Sequence, residues 1–215
     1  MRLYGFDTVN TFKILIMLEE IGQPYAFDPI NIRAGEQHSP GFRALNPNGK
    51  VPVLVVEEEV LVESAAILMF LADRSGFGLA KTGRQRQKGL EWLMFQASTQ
   101  GPLFGQLEYW VELAGDPNPE LQSHYRAICQ KILAQMEARL EQTTWFDGGD
   151  YGLADIAHYA WMMRASRLGL DLSECPHVRA WMVRIDKRPA VMRATRDVIS
   201  PLPSSSSSSP RSQPD

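Results

Sequence analysis

Apolar and polar positions follow strand-like and helix-like periods in turn over the first third of the chain. Residues 2–6 predict a short strand, and residues 25–32 alternate as a second one. Between them, residues 11–21 carry isoleucine, leucine and methionine at helical spacing, and Gly22 follows as a stop signal. Because a connection of helical length joins the two strands, we expect them to pair in parallel. The chain therefore begins with a βαβ unit.

A hairpin and a second helix are predicted after a polar loop over residues 33–48. Two apolar runs, residues 51–56 and 60–62, flank consecutive glutamates, which is typical of an antiparallel hairpin with a charged turn. Ser64 comes next and precedes the apolar helical stretch 65–72, so we expect Ser64 to be the N-cap. The N-terminal unit is thus α/β, with βαβ followed by ββα.

The remainder of the chain predicts helices only. Residues 81–88 are expected to be a solvated linker. Helices are predicted over residues 87–113, 120–142, 153–168 and 177–187, with a short one after Pro189. The first contains Gly101-Pro102, where we expect a bend because proline removes a backbone hydrogen bond. Gly152, just before the third, is a weaker N-cap than serine or threonine, although Asp155 favours the first turn.

These elements suggest two domains, over residues 1–80 and 87–200. The last stretch, 201–215, is rich in serine and proline and has too little apolar surface to order itself. We therefore expect a disordered tail there and seek the chemistry in the two domains.

Composition and charge limit the classes of function. The chain of 215 residues is 44% hydrophobic and 22% charged, as in globular proteins, and its net charge of -3 gives no general attraction to nucleic acid or anionic membranes. There is no secretory signal pattern at the start, and no apolar run reaches the roughly 18 residues of a membrane span. Cys129 and Cys175 form neither a CxxC pair nor a metal-ligand cluster with histidines. We expect a cytoplasmic protein with no metal and no nucleic-acid or membrane partner.

Several common catalytic motifs are absent from the sequence. There is no phosphate-binding GxxxxGK[ST], no strand-linked GxGxxG, no HExxH, no GxSxG and no EF-hand loop. Candidate chemistry is left in three local features, all within the first 65 residues.

The first feature is residues 46–52, a turn that leads into Val51-Pro52 at the start of a strand. It is either ordinary turn chemistry or a cis peptide bond that exposes the Val51 backbone to an extended peptide ligand. The second is Glu63-Ser64, at the junction of strand and helix. It is either a plain N-cap after a surface glutamate, or a site where the helix N-terminus and Ser64 bind a carboxylate while Glu63 holds an ammonium.

The third feature is the polar loop around Thr8 and Asn10, between the first strand and the first helix. These side chains are either helix caps or donors that hold a thiolate, since hydrogen bonds to the charged form lower the pKa of a thiol. The two roles are compatible.

Taken in order, these features resemble the glutathione transferase superfamily across residues 1–198, and within it the bacterial nu class. The resemblance rests on Thr8-Val9-Asn10, Gln37, residues 46–52 and 62–68, Trp92-x-x-x-Gln96, and Gly101-Pro102-x-x-Gly105-Gln106. It implies a thioredoxin-like N-terminal domain, an all-α C-terminal domain, a homodimer and glutathione as co-substrate. It also implies reduction of disulfides by glutathione, together with transferase activity.

The resemblance also implies roles for particular residues. Val51, before a cis Pro52, would pair with the cysteinyl unit of glutathione, and Glu63 with Ser64 would hold the γ-glutamyl end. Gln37 and Lys50 would face the glycine carboxylate. Thr8 and Asn10 match the hydroxyl and amide positions that hold the glutathione sulfur.

Some positions depart from the nu pattern or stay open. Val9-Asn10-Thr11 stands where Pro-Asn-Gly is common, and His124 stands where the class has a basic residue. Tyr4 either packs or takes part at the sulfur, as a tyrosine does in other transferase classes. The sequence leaves two other functions open: a glutathione-binding regulator or scaffold with little turnover, and a redox protein acting through its own cysteine. The sequence does not indicate the natural acceptor, and Phe104, Tyr109 and Trp110 are either an apolar wall for it or core residues.

Overall fold

The N-terminal part of the computed structural model is a four-stranded sheet; the structure describes residues 1–196. Its strands are β1 (Arg2–Gly5), β2 (Ala26–Pro29), β3 (Val53–Val56) and β4 (Glu59–Leu61), in the order β2-β1-β3-β4. β1 pairs in parallel with β2, and β3 pairs antiparallel with both β1 and β4. The predicted βαβ unit and hairpin are therefore confirmed.

Helix α1 (Val9–Glu20) makes the crossover between β1 and β2, and its residues 11–18 are all buried. The 33–48 stretch, predicted as a loop, is not loop throughout: it holds a 3₁₀ turn (Glu36–His38) and helix α2 (Pro40–Leu45). Ser39 caps α2 by accepting from the Phe42 backbone N–H at 3.4 Å. The helix has six residues, too few for a periodic pattern to predict it.

Helix α3 (Ser64–Ser75) begins at the residue that was expected to be its N-cap. Glu63 is the N-cap, with φ 66° and ψ 112°, and the Ile67 N–H donates to its carbonyl at 2.9 Å. The prediction of Ser64 as N-cap is therefore wrong. Ser64 is the first helical residue, and its hydroxyl is directed to side chains of α1.

Helices make up the rest of the described chain. They are α4 (Gly83–Phe95), α5 (Gly101–Glu108), α6 (Pro119–Gln142), α7 (Leu153–Met162), α8 (Pro176–Asp186) and α9 (Pro189–Arg196). The polar stretch 81–88, predicted as a linker, lies mostly in the first turns of α4, because exposed helix positions tolerate the same polar residues as loops.

The long helix predicted over residues 87–113 is interrupted by wide turns. A π-helical turn, Gln96–Gln100, joins α4 to α5, and a second one, Tyr109–Leu113, follows α5. The Gly101 N–H donates to the carbonyl of Gln96, and Pro102, which has no N–H, follows directly. Where a bend was predicted at Gly101-Pro102, the structure has a π-helical turn that contains Gln96 and ends just before Gly101.

Helix α1 lies at the centre of the molecule, packed against α3, α7 and α9. All residues of α7 are buried, so the helical half presents an apolar face to α1. The strand-and-helix part followed by helices confirms the predicted fold class. The boundaries at residues 80 and 87 stay a prediction, and the predicted tail, 201–215, lies outside the described residues.

No helix within residues 1–196 is both long and apolar enough to cross a membrane.

Candidate functional site

The candidate residues lie where the C-terminal end of β1, the start of β3 and the N-terminus of α3 come together. Tyr4 of β1 stands opposite Val53, so the turn carrying Val51 and Pro52 approaches the loop that follows β1. Ser64 reaches α1 directly, since its Oγ lies 3.4 Å from Asn10 Oδ1. Segments far apart in sequence therefore share one end of the sheet.

Thr8 is the N-cap of α1 and is half-buried. Its Oγ1 accepts from the Thr11 N–H at 3.3 Å and lies 2.9 Å from Thr11 Oγ1. The Phe6 N–H donates to Thr11 Oγ1 at 3.3 Å, so Thr11 is free to donate its own hydroxyl proton to Thr8. In that arrangement the Thr8 proton is available to a ligand, and the cap and donor roles coexist.

Asn10 lies in the first turn of α1, half-buried. Its Oδ1 accepts from the Ser64 hydroxyl at 3.4 Å. With the oxygen engaged there, the Nδ2 group is the face that can donate to a ligand, given this orientation of the amide. One side chain thus joins the predicted sulfur position to the predicted γ-glutamyl position.

Lys13 is part of the same network, and sequence reasoning missed it. Its side chain is 2% exposed, and its Nζ donates to Gln96 Oε1 at 2.7 Å and to Ser64 Oγ at 3.4 Å. Burial lowers the pKa of Lys13 to about 7, opposed by the nearby charge of Glu63. The available signal was a single charge within the apolar residues of α1.

Residues 46–52 form a tight turn, and the expected cis bond between Val51 and Pro52 is present. Asn46 holds the turn closed: its Nδ2 donates to the Lys50 carbonyl at 2.8 Å, and its Oδ1 accepts from the Asn48 N–H at 3.1 Å. Val51 is half-buried and Pro52 is buried.

Gly49, which has φ 62°, precedes Lys50 in the chain and lies close to Gln37 in space. A Cβ on Gly49 would lie 3.1 Å from the Gln37 carbonyl oxygen, so the two segments pack closely. Gln37 Oε1 is buried without a hydrogen-bond partner in the structure, whereas the Lys50 side chain is exposed. The structure therefore places Gln37 beside the turn that carries Lys50.

Glu63 is exposed, directly before the first residue of α3. The N–H groups of the first helical turn and the Ser64 hydroxyl are donors there, and Glu63 supplies a carboxylate beside them. The donors could bind the carboxylate of an amino acid while the Glu63 carboxylate binds its ammonium.

Other candidates lie apart from this network. Tyr4 packs its ring against Phe42, with ring centroids 6.5 Å apart. His124 is exposed on α6 and packs against Tyr125, and Phe104 is fully buried against Trp161. Phe104 is therefore core rather than a wall for an acceptor.

Tyr109 is 46% exposed and contacts Trp110, which keeps this pair a candidate apolar surface for an acceptor. A second feature missed from the sequence is the ion pair between Asp7 and Arg164, 2.7 Å apart, directly beside Thr8. It links the loop after β1 to the segment after α7.

The two thiols lie in the helical half and are buried. Burial raises the pKa of Cys129 to about 12, and burial followed by the carboxylates of Glu137 and Asp171 raises the pKa of Cys175. Thiolate formation is disfavoured at both. Within residues 1–196, no group of three or more histidine, cysteine, aspartate or glutamate side chains is arranged to hold a metal ion.

Two family models match the chain. The model of the glutathione S-transferase N-terminal domain matches residues 1–73, and that of the glutathione S-transferase C-terminal domain matches residues 114–189. A relative from Escherichia coli (strain K12), disulfide-bond oxidoreductase YfcG, is 33% identical over 199 residues, which cover 89% of this chain and 93% of the relative.

Solved structures agree with these matches. A glutathione transferase family member from Pseudomonas fluorescens pf-5, with two glutathione bound, superposes with a TM-score of 0.84 at 32% identity, covering 90% of this chain and 91% of that one. A glutathione transferase from Pseudomonas putida, with one glutathione disulfide bound per subunit, gives a TM-score of 0.86 at 30% identity, covering 91% and 90%.

Proposed function

Because the chain belongs to the glutathione S-transferase superfamily, in its nu-like group, we propose that it is a glutathione-dependent disulfide-bond reductase with glutathione transferase activity. Glutathione is the co-substrate, and its thiolate is held by Thr8 and Asn10. The proposal includes a cytoplasmic homodimer.

The observation that carries the proposal is the contact between Asn10 Oδ1 and Ser64 Oγ. This contact connects Thr8 and Asn10, at the start of α1, to the N-terminus of α3, where Glu63 supplies a carboxylate. One tripeptide can span these positions with its γ-glutamyl end at Ser64 and its sulfur near Asn10. In the same account, Val51 pairs with the cysteinyl backbone before Pro52, and Gln37 with Lys50 faces the glycine carboxylate.

The chemistry then needs two glutathione molecules for each disulfide. The first thiolate attacks one sulfur of the substrate, forming a mixed disulfide as the substrate S–S bond breaks and a substrate thiolate leaves. A second glutathione thiolate attacks the mixed disulfide at the glutathione sulfur, giving glutathione disulfide and the second substrate thiolate. Two glutathione molecules are oxidised and one substrate disulfide is reduced. The protein contributes position and thiolate stabilisation.

The alternative is a glutathione-binding regulator or scaffold, which would keep the same contacts with little turnover. The Asn10 amide distinguishes the two, because a donor aimed at sulfur matters for reactivity more than for binding.

Two substitutions test the proposal. Asn10→Ala should lower the turnover of glutathione-dependent disulfide reduction by about 10- to 100-fold, since it removes one hydrogen bond to a charged sulfur, and should change glutathione affinity little. Ser64→Ala should instead weaken glutathione binding by about tenfold, measured by calorimetry.

Ser123→Ala, at an exposed position of α6, is the matched control and should behave as the parent protein. Unchanged turnover in Asn10→Ala would remove this amide from the sulfur site. Unchanged affinity in Ser64→Ala would contradict the carboxylate site at α3.

A further inference from the structure

Lys13 is a buried ammonium in the middle of an apolar helix, and the mechanism above does not use it. Burying a charge is costly unless it is paired and hydrogen-bonded. Lys13 Nζ donates to two neutral acceptors, the side-chain oxygens of Gln96 and Ser64. An apolar residue would pack in α1 without this cost, so the presence of lysine requires a role.

The direction of the hydrogen bonds indicates that role. A lysine ammonium only donates, so Ser64 Oγ, 3.4 Å away, must accept from it. A serine hydroxyl has one proton, and this proton is then directed away from Lys13, toward Asn10 Oδ1 or toward a ligand. Lys13 thereby presents Ser64 as a hydrogen-bond donor.

Gln96 fixes the ammonium from the other side. Its Oε1 lies 2.7 Å from Lys13 Nζ, and it stands at the first position of the π-helical turn. A Cβ on Gly101 would lie 2.9 Å from Gln96 Nε2, so the end of the wide turn packs closely against this amide. The turn therefore places an acceptor at Lys13 from the helical half of the protein.

The surroundings of Lys13 bring its pKa close to neutral pH. On α3 the facing group is Glu63, which favours the charged form. On α7 it is His158, whose pKa is lowered to about 3 by burial, so that it is neutral near pH 7. Arg188, just before α9, and Arg193, on α9, are paired with glutamates at the far end of α1. Burial is the largest influence, and the pKa of Lys13 is lowered to about 7.

We propose, building on the function above, that Lys13 is a positioning residue of the γ-glutamyl site. By donating to Ser64 Oγ it keeps the Ser64 hydroxyl a donor, whose proton turns from Asn10 Oδ1 to the glutathione carboxylate when glutathione binds, and Lys13 takes up a proton of its own when that carboxylate binds. The bound carboxylate adds a negative charge near Nζ and so favours the ammonium. Glutathione binding is thereby coupled to protonation of a residue that does not touch the substrate.

The sign of the pH dependence follows from this coupling. Above pH 7 the unliganded protein holds Lys13 increasingly neutral, whereas the complex keeps it charged, so affinity should fall as pH rises from 7 to 8.5. The limiting slope is about tenfold per pH unit, because one proton is linked to binding.

Calorimetry with S-methylglutathione tests the proposal, since this ligand has no thiol to ionise. Binding is measured at pH 8 in two buffers of different ionisation enthalpy, which gives the number of protons taken up. We expect about half to one proton per ligand in the parent protein. Lys13→Met should lose most of this proton uptake. It should also bind S-methylglutathione about tenfold more weakly at pH 7, because it lacks one hydrogen bond from a charged donor.

Lys13→Arg is the second variant, because the charge of arginine does not change near pH 8. This variant should bind S-methylglutathione with little proton uptake, and it provides the test if Lys13→Met does not fold. Lys131→Met, at an exposed lysine of α6, should match the parent. Equal proton uptake in the parent and in either Lys13 variant would overturn the inference while leaving the proposed function intact. Failure of the parent to bind S-methylglutathione would count against both.

Discussion

Cys129 and Cys175 show at the scale of single residues why the proposed chemistry uses the sulfur of glutathione. The side chain of Cys129 is fully buried in α6, and its Sγ lies 3.6 Å from the Leu103 carbonyl oxygen. Cys175 is buried just before α8. A nucleophilic cysteine needs an accessible site that favours the thiolate, and burial acts against both conditions.

Replacing both cysteines by serine should therefore leave disulfide reduction unchanged within about twofold. A hydroxyl at 129 keeps the hydrogen bond to Leu103, and a serine at 175 precedes α8, where hydroxyl side chains cap well. The comparison is made on protein whose circular dichroism matches the parent. Loss of most activity from the folded double variant would mean that a protein thiol carries the reaction.

Individual residues also show which parts of the site could be predicted from the sequence. The cis bond before Pro52 was predictable because the resemblance rests on its motif, whereas the binding role of Ser64 stays a prediction. Lys13 was not predictable, because a lysine in a helix is normally solvated and only the packing of three helices around α1 shows that it is buried. The roles of Thr8 and Asn10 at sulfur remain proposals.

At the scale of elements, the start of α7 shows a local rule being overridden by packing. Serine or threonine is the usual N-cap, but Gly152 occupies this position, and a Cβ there would lie 2.4 Å from the Gly78 carbonyl oxygen. The same carbonyl accepts from the Leu153 N–H at 2.9 Å. Asp155 completes the cap by accepting from the Gly152 N–H at 3.0 Å. Glycine is required by the close approach of two backbones.

Gly152→Ser should consequently destabilise the protein, although serine is the better cap in isolation. We expect the free energy of unfolding to fall by about 1–3 kcal/mol, the range for overpacking, measured by urea denaturation. Gly115→Ser is the control, because nothing lies within 4 Å of a Cβ at that glycine, and it should change stability little. A more stable Gly152→Ser protein would show that the backbones can separate at no cost.

Element predictions succeeded where the pattern was long and failed where it was short or irregular. The βαβ unit and the hairpin follow from apolar periodicity and the charged turn. Helix α2 is too short to show a period, and the π-helical turn at Gln96–Gln100 has the same composition as an ordinary helix. The turn matters for function because it brings Gln96 to Lys13.

At the scale of the whole molecule, the two halves are joined around α1 and the candidate site. Arg188 pairs with Glu20 through two contacts, at 2.6 and 2.8 Å, and Arg164 pairs with Asp7 beside Thr8. Lys13 adds a third link through Gln96. The site therefore depends on both halves, which is why domain patterns alone predict the fold but not the contacts between its parts.

Family resemblance and the structure together leave the acceptor open, because acceptor surfaces in this fold depend on individual helical side chains. Here exposed Tyr109 and half-buried Trp110 contact each other just after α5. Homodimer formation likewise remains part of the proposal.

The most direct test compares two reactions on the same purified protein: glutathione-dependent reduction of a small model disulfide, and conjugation of glutathione to an aryl halide. We expect fast disulfide reduction and slow conjugation, with the rate of disulfide reduction lowered about 10- to 100-fold in Asn10→Ala. Fast conjugation with slow reduction would contradict the proposed reductase and indicate an ordinary transferase. If the protein binds glutathione but catalyses neither reaction, the proposed enzymatic function is wrong and the protein is a glutathione-binding protein.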